Sequence, residues 1–187
     1  LVQAVDALDS GYPLWSTDQV CTPFTVSHLI SSLNPSWQED GASFNERFAE
    51  AVEIAGKILE REIVRAQGVV LAKKQVEEAV AKAEDSRILI LDRFVPWQEA
   101  FFVSGSPALF VVFPDTDGQW RVQAIPPKLG SFEQRKTLPQ TWAGLRDLEL
   151  ARVTGVSDSV FCHPGRFICG ATTRDGAVAL ARLACEA

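Results

Sequence analysis

The chain has 187 residues, 47% of them hydrophobic, and a net charge of −6, which suits one sizeable globular domain or two small ones. That acidic balance excludes a protein that coats nucleic acid through its overall field, while leaving room for a local basic groove. No apolar run reaches the roughly 18 residues of a membrane helix, so no membrane partner is expected. The four cysteines form no C-x-x-C pair, as free thiols in a reducing compartment would have it.

Methionine is absent and Leu1 already lies in a helical pattern, so a native start is expected upstream, where any targeting segment would also lie. Residues 1–11 read as the last turns of a helix closed by Gly11. Asp6 and Asp9 sit three apart on it, able to reach one cation or simply solvated. Residues 12–25 read as a loop with Pro13 and Pro23. A short helix over 26–33 ends at Asn34-Pro35 and carries His28, a packed or surface histidine. Phe44, Phe48, Ala51, Val52, Ala55, Ile58, Leu59, Ile63 and Ala66 then repeat at three and four, which predicts a helix over 43–66 with Ser43 and Glu46 as a capping box. The pattern resumes after Gly68 through Ala83, as a second helix or as the same one with a break.

At Arg87 the period changes. Residues 88–91 read as a short buried strand, and a short helix opened by Pro96 follows. The apolar run 108–113, the Asp-Gly turn at 115–118 and the strand 119–125 predict an antiparallel hairpin. On its second strand Trp120, Val122 and Ala124 share one face and Arg121 and Gln123 the other. Pro126 and Pro127 end that strand. A long segment without periodicity runs on to Pro139 and Trp142, with Phe132, Leu138 and Trp142 available to pin it. A helix over 145–155, a strand over 159–163, a glycine-bearing connection and a helix over 173–187 capped by Thr173 complete the chain. The fold class is α+β: a helical segment over 1–86, then an α/β domain over 87–187 with a small mixed or antiparallel sheet and flanking helices.

Residues 118–146 hold Arg121, Lys128, Arg135, Lys136 and Arg146 against Glu133 alone, a basic island in an acidic chain. It suits an anionic ligand, phosphate above all, or is a solvated loop whose arginines pair with nearby carboxylates. The strand, glycine loop and helix start over 159–173 can also receive an anion on backbone N–H groups. Cys162, His163 and Cys169 match no zinc spacing. No G-x-S-x-G, P-loop, H-E-x-x-H or Rossmann fingerprint occurs, so no catalytic set is complete.

Several strings are nevertheless specific. They are GQWRVQAIP from residue 118, SF-x-x-R from 131, LP-x-x-W-x-GLRD from 138, VTGV from 153 and F-x-H-x-x-x-F-x-x-G-x-x-TR-x-GA from 161, preceded by VDALDSG from 5 and LNPSW from 33. In this order they resemble the C-terminal half of the Myg exonuclease family. The resemblance implies a branch of the DHH phosphoesterases: two-domain, metal-dependent enzymes regarded as 3′→5′ RNA exonucleases of mitochondrion and nucleus. It implies a divalent metal, Mn or Mg, in the complete enzyme, and none held by this segment alone. Asp6, with Asp9, would be the tail of the metal-binding half, and the partners would be RNA or a short oligonucleotide and an N-terminal metal-binding domain. Homodimerisation is left open. His163, Arg174, Arg121, Arg135 and Arg146 would contact phosphates, and Thr173 and Gly170 would shape the anion site. Two family glycines are replaced, by Arg166 and Cys169, with Arg166 able to serve as a phosphate-binding cation, and a family Asn is Ser10. These departures keep open a non-catalytic relative acting as a binding or scaffold subunit, and a reading in which 118–146 is an interdomain packing element.

Overall fold

The structure, a computed structural model, describes residues 2–11, 23–39, 41 and 43–187. It divides into two compact units, Leu1–Ala66 and Gln67–Ala187. The division falls inside a helix rather than at 86–87, because Ala72 and Val76 of that helix belong to the core of the second unit.

In the first unit, α1 (Val2–Asp9) ends at Gly11 in the left-handed region that glycine adopts freely. Of the loop expected over 12–25, residues 12–22 lie outside the described residues. Helix α2 (Val26–Ser31) is capped by Thr25, whose hydroxyl accepts from the His28 backbone while His28 Nδ1 accepts from the Thr25 N–H. His28 is thus a capping side chain. Helix α3 (Phe44–Ala81) begins with Glu46 N–H donating to Ser43 Oγ and passes through Gly68 without a break. One glycine in a helix costs about 1 kcal/mol. Strong helix formers and the i,i+4 pairs Glu53–Lys57, Lys73–Glu77 and Glu78–Lys82 outweigh it.

The second unit is built on a five-stranded sheet. Its elements are β1 (Ile88–Ile90), α4 (Gln98–Ser104), β2 (Phe110–Pro114), β3 (Trp120–Ala124), a 3₁₀ turn at Gln140–Trp142, α5 (Asp147–Thr154), β4 (Ser159–Cys162), β5 (Ile168–Ala171) and α6 (Arg174–Glu186). The strand order is β1-β2-β3-β5-β4, with β1 parallel to β2 and every other pair antiparallel. The α+β expectation holds, and so does the hairpin, in which Val112 faces Val122. The connection expected between 163 and 173 instead contains β5, inserted between β3 and β4. Its sequence, Ile-Cys-Gly-Ala, is short and poor in β-formers, so tertiary pairing and not propensity makes it a strand.

Alternation on the strands feeds two cores. On one face Phe110, Val112, Val122, Ala124, Cys169 and Ala171 pack under α5 and α6, with Leu150 and Leu180 fully buried. On the other, Leu89, Val111 and Phe113 pack against Phe101 of α4 and Ala72 and Val76 of α3. Each fully buried Leu or Phe contributes about 1.5–3 kcal/mol. The second core draws its strand residues from β1 and β2 alone. Beyond them, the same face of β3, β5 and β4 carries Arg121, Gly170 and Phe161. The segment after Pro127 is pinned by Leu138 and Trp142, both buried, but not by Phe132, which is wholly exposed.

Candidate nucleic-acid interface

Register places one row of residues across the sheet: Phe113 on β2 opposite Arg121 on β3, Arg121 opposite Gly170 on β5, and Gly170 opposite Phe161 on β4. The row starts in the second core and leaves it at Arg121. Beyond Phe161 lies Arg146, bridged to it through the backbone. Gly170 makes the row possible. A Cβ there would meet Arg121 Nη1 at 2.6 Å, Phe161 Cε1 at 3.0 Å and the Trp120 carbonyl at 3.2 Å. The missing side chain lets a guanidinium and an aromatic ring lie over the strand.

Arg121 is held on several sides. It forms an ion pair with Asp115, donates to Gln119 Oε1 at 3.0 Å and places its Cζ 5.1 Å from the Phe161 ring centroid. Asp115 in turn accepts from the Asp117 and Gln119 N–H groups, so the hairpin turn fixes the carboxylate that fixes the arginine. Arg146 approaches the same ring with its Cζ at 6.0 Å, is exposed, and has no ion pair among the described residues. The site therefore combines one neutralised guanidinium, one unpaired guanidinium and one half-buried aromatic ring. Such a surface can offer a cation to a phosphate and a π-face to a base.

The other expected residues stand apart from this row. Arg135 donates to the Ser106 and Ala108 carbonyls at 2.9 and 3.0 Å and lies over the Phe101 and Phe102 rings, strapping the long loop to α4. Arg166 has φ 57, a left-handed conformation that suits the glycine expected there from the resemblance, and donates to the Leu138 carbonyl at 3.3 Å. Cys169 lies on the core-facing side, opposite Cys162. Burial pushes the Cys162 thiol up to about 11 and the Cys169 thiol well above its ordinary value. His163 is exposed just past β4, its Nδ1 accepting from the Gly165 N–H at 2.9 Å and its ring against Phe167. Arg174, on α6, lies with its Cζ 6.0 Å from the Trp120 ring centroid. It also lines an open cleft of about 850 Å³, where four cations, Arg174 among them, face five carboxylates. That balance of signs favours no polyanion.

Thr173 caps α6 as expected, its hydroxyl accepting from the Gly176 N–H at 3.0 Å. What the sequence did not disclose is that a carboxylate of the protein already sits at this helix start. Asp158 Oδ2 accepts from Thr173 N–H at 2.8 Å, Thr173 Oγ1 at 2.6 Å and Thr172 Oγ1 at 3.2 Å. A Cβ on Gly176 would fall 2.6 Å from the Asp158 Cγ, so the glycine leaves room for it. Burial alone would raise the Asp158 carboxyl, but the bonds from Thr173 and Thr172 outweigh it and hold the group below its usual range. Only an Asp fourteen residues ahead of a paired Thr-Thr step hinted at this arrangement, and nothing in the spacing required it.

In the first unit Asp6 and Asp9 are exposed on α1, and Asp9 Oδ1 accepts from Ser27 Oγ at 3.2 Å. Among the described residues no three metal-ligating side chains come together, and no helix is long and apolar enough to cross a membrane.

The family model of MYG1 exonucleases, whose description reads uncharacterised protein family (UPF0160), matches residues 1–185. The MYG1 protein of Dictyostelium discoideum is 34% identical over 97% of this chain and 60% of its own length. The MYG1 exonucleases of Rattus norvegicus and Homo sapiens are each 33% identical over 97% of this chain, and over 51% and 52% of their own lengths. The chain thus spans about half to three-fifths of the curated relatives it matches. No solved structure matches it.

Proposed function

Since the chain belongs to the MYG1 exonuclease family, we propose that it is the substrate-binding portion of a nuclease that, when complete, is a metal-dependent 3′→5′ RNA exonuclease of the DHH type. The observation that supports this most directly is the open sheet face on which Arg146 and Phe161 stand beside Gly170. All three residues lie in the strings that carry the family resemblance. In this reading Arg146 contacts a phosphate of the RNA; His163, just past β4, and Arg174, on α6 against Trp120, would meet phosphates only away from this row. Arg121 holds the aromatic ring. Arg135 and Arg166 shape the loop between Ile125 and Leu138 rather than meeting the substrate, and Thr173 and Gly170 act through geometry.

The metal, Mn or Mg, belongs to the complete enzyme. Two exposed carboxylates one turn apart are not a sufficient set for a divalent cation, so Asp6 and Asp9 do not by themselves fit it. No further ligand joins them among the described residues, and in this reading an N-terminal metal-binding domain supplies the rest of the set. A mitochondrial or nuclear location and a homodimer belong to the same proposal.

The test is release of nucleotides from single-stranded RNA with manganese present. The full-length protein is expected to show it and the 187-residue chain is not. Asp6→Ala in the full-length protein is expected to abolish release while RNA binding persists. A second reading, a non-catalytic relative that binds RNA, is favoured by Arg166 and Cys169 standing where the family resemblance expects glycines. RNA binding by the full-length protein without manganese-dependent release would establish that second reading over the first.

A further inference from the structure

The row across the sheet contains a residue that neither core uses. Phe161 belongs to neither buried cluster, yet it is held in place from three directions. Gly170 receives the edge of its ring, Arg121 lies 5.1 Å from its centroid, and Arg146 lies 6.0 Å from it on an exposed side chain. A phenyl ring set among polar groups on an open sheet face, away from both cores, is positioned rather than packed. The two arginines differ in a way that matters. Arg121 is neutralised by Asp115 and tied to Gln119, so it holds the ring and adds little net charge. Arg146 has no ion pair among the described residues and keeps its full charge.

Resting on the reading that this face meets RNA, we propose that Phe161 is the stacking platform for one unpaired base, that Arg146 takes the phosphate next to that base, and that Arg121 with Asp115 is the positioning pair that holds the ring. The geometry supports the pairing of roles, since the Arg146 Cζ lies 6.0 Å from the ring centroid, close enough for one nucleotide to meet both side chains. A base offers its π-face only when it is unstacked at a strand end or in a single strand. The site would therefore select single-stranded RNA over the same sequence in a duplex, independently of which base is present.

The test uses the 187-residue chain and a single-stranded oligoribonucleotide with 2-aminopurine at its 3′ end. Stacking on Phe161 is expected to change the fluorescence of the probe on binding. Phe161→Leu is expected to remove that change and weaken binding by about 5- to 150-fold, while Phe161→Tyr keeps both. Arg146→Gln is expected to keep the fluorescence change and lower the slope of log affinity against log salt by about 0.7. Blunt duplex of the same sequence is expected to bind more weakly and leave the probe unchanged. Because Phe161→Tyr retains the ring, it separates loss of stacking from loss of folding. If the chain binds the single strand but Phe161→Leu matches the parent in affinity and fluorescence, the stacking role is wrong and the substrate-binding reading stands. If the chain binds no RNA at all, both fall.

Discussion

The carboxylate at the start of α6 gives a quantitative test of how the second unit is held together. Asp158→Ala removes an acceptor that takes one backbone N–H and two hydroxyls. The hydroxyls of Thr172 and Thr173 are on exposed residues and water replaces their partner at little cost. The backbone bond is charge-assisted and contributes about 1.5–3 kcal/mol. A negative charge at a helix N-terminus adds about 0.3–1 kcal/mol. The sum is a loss of about 2–4 kcal/mol, or a fall in melting temperature of roughly 8–16 °C for a unit of this size. Asp158→Asn keeps the shape and loses the charge, and is expected to fall between the two.

The same group fixes a pH dependence. Its folded carboxyl titrates below the ordinary value, so the deprotonated form is the one that folding favours. The contribution is full above the unfolded value of about 3.9 and fades as the pH falls through the folded one. Urea unfolding of parent and Asp158→Asn, measured from pH 7 down to acid, is therefore expected to show a gap that narrows only below about pH 4. A difference under about 0.5 kcal/mol at pH 7, the range of an ordinary surface substitution, would refute the reasoning. So would a gap of constant size across the series.

Gly170→Ala is expected to cost about 1–3 kcal/mol by overpacking, since the Trp120 carbonyl at 3.2 Å cannot swing aside as the Arg121 guanidinium can; an unchanged urea midpoint would contradict this. Arg135→Ala leaves the Ser106 and Ala108 carbonyls without their donor and is expected to cost about 2 kcal/mol in the same assay. Arg135→Lys should recover less than half, because an ammonium lacks the planar fork, and full recovery would count against the strap. Cys162 and Cys169, buried with raised thiols, are expected to resist iodoacetamide in the native protein and to react in urea, as read by mass spectrometry. Prompt native labelling of either would show that the core opens there.

The parts of the fold that were legible in the sequence were those with a periodicity of their own. The hairpin announced itself by alternation around an Asp-Gly turn, and α6 by Thr173 ahead of an apolar stripe. Strand β5 was not legible, because Ile-Cys-Gly-Ala carries no alternation long enough to count, and Gly170 argues against a strand by propensity. It is a strand because β3 and β4 lie on either side of it, and because the glycine gives Arg121 and Phe161 somewhere to lie. Phe132 failed as a pin for the opposite reason, since an aromatic residue in a loop shows what can be buried and not what is. For the candidate site, Arg121, Arg146 and Gly170 were identified individually from the family strings, but the ring that joins them was not. Phe161 opens one of those strings, yet it was given no role and read as an apolar position of a short strand.

The basic island shows why composition pointed toward a site without describing it. Of its five cations, Arg121 is paired with Asp115, Arg135 is spent on two carbonyls, and Lys136 donates to the Cys185 carbonyl at 2.9 Å, near the C-terminus of α6. Lys128 and Arg146 are exposed and have no ion pair among the described residues. Each phosphate neutralised on a single strand contributes about 0.7 to the salt slope. If all five cations met RNA, the island would account for a slope of about 3.5, whereas the structure allows it about 1.4. Binding of a single-stranded oligoribonucleotide over a salt series decides between them. Lys128→Gln with Arg146→Gln is expected to remove nearly all of the island's share, and Lys136→Gln none of it. A drop of about 0.7 for Lys136→Gln would mean that its bond to the end of α6 yields to phosphate, and that the charge surplus acts as a continuous surface rather than through Lys128 and the guanidinium beside Phe161.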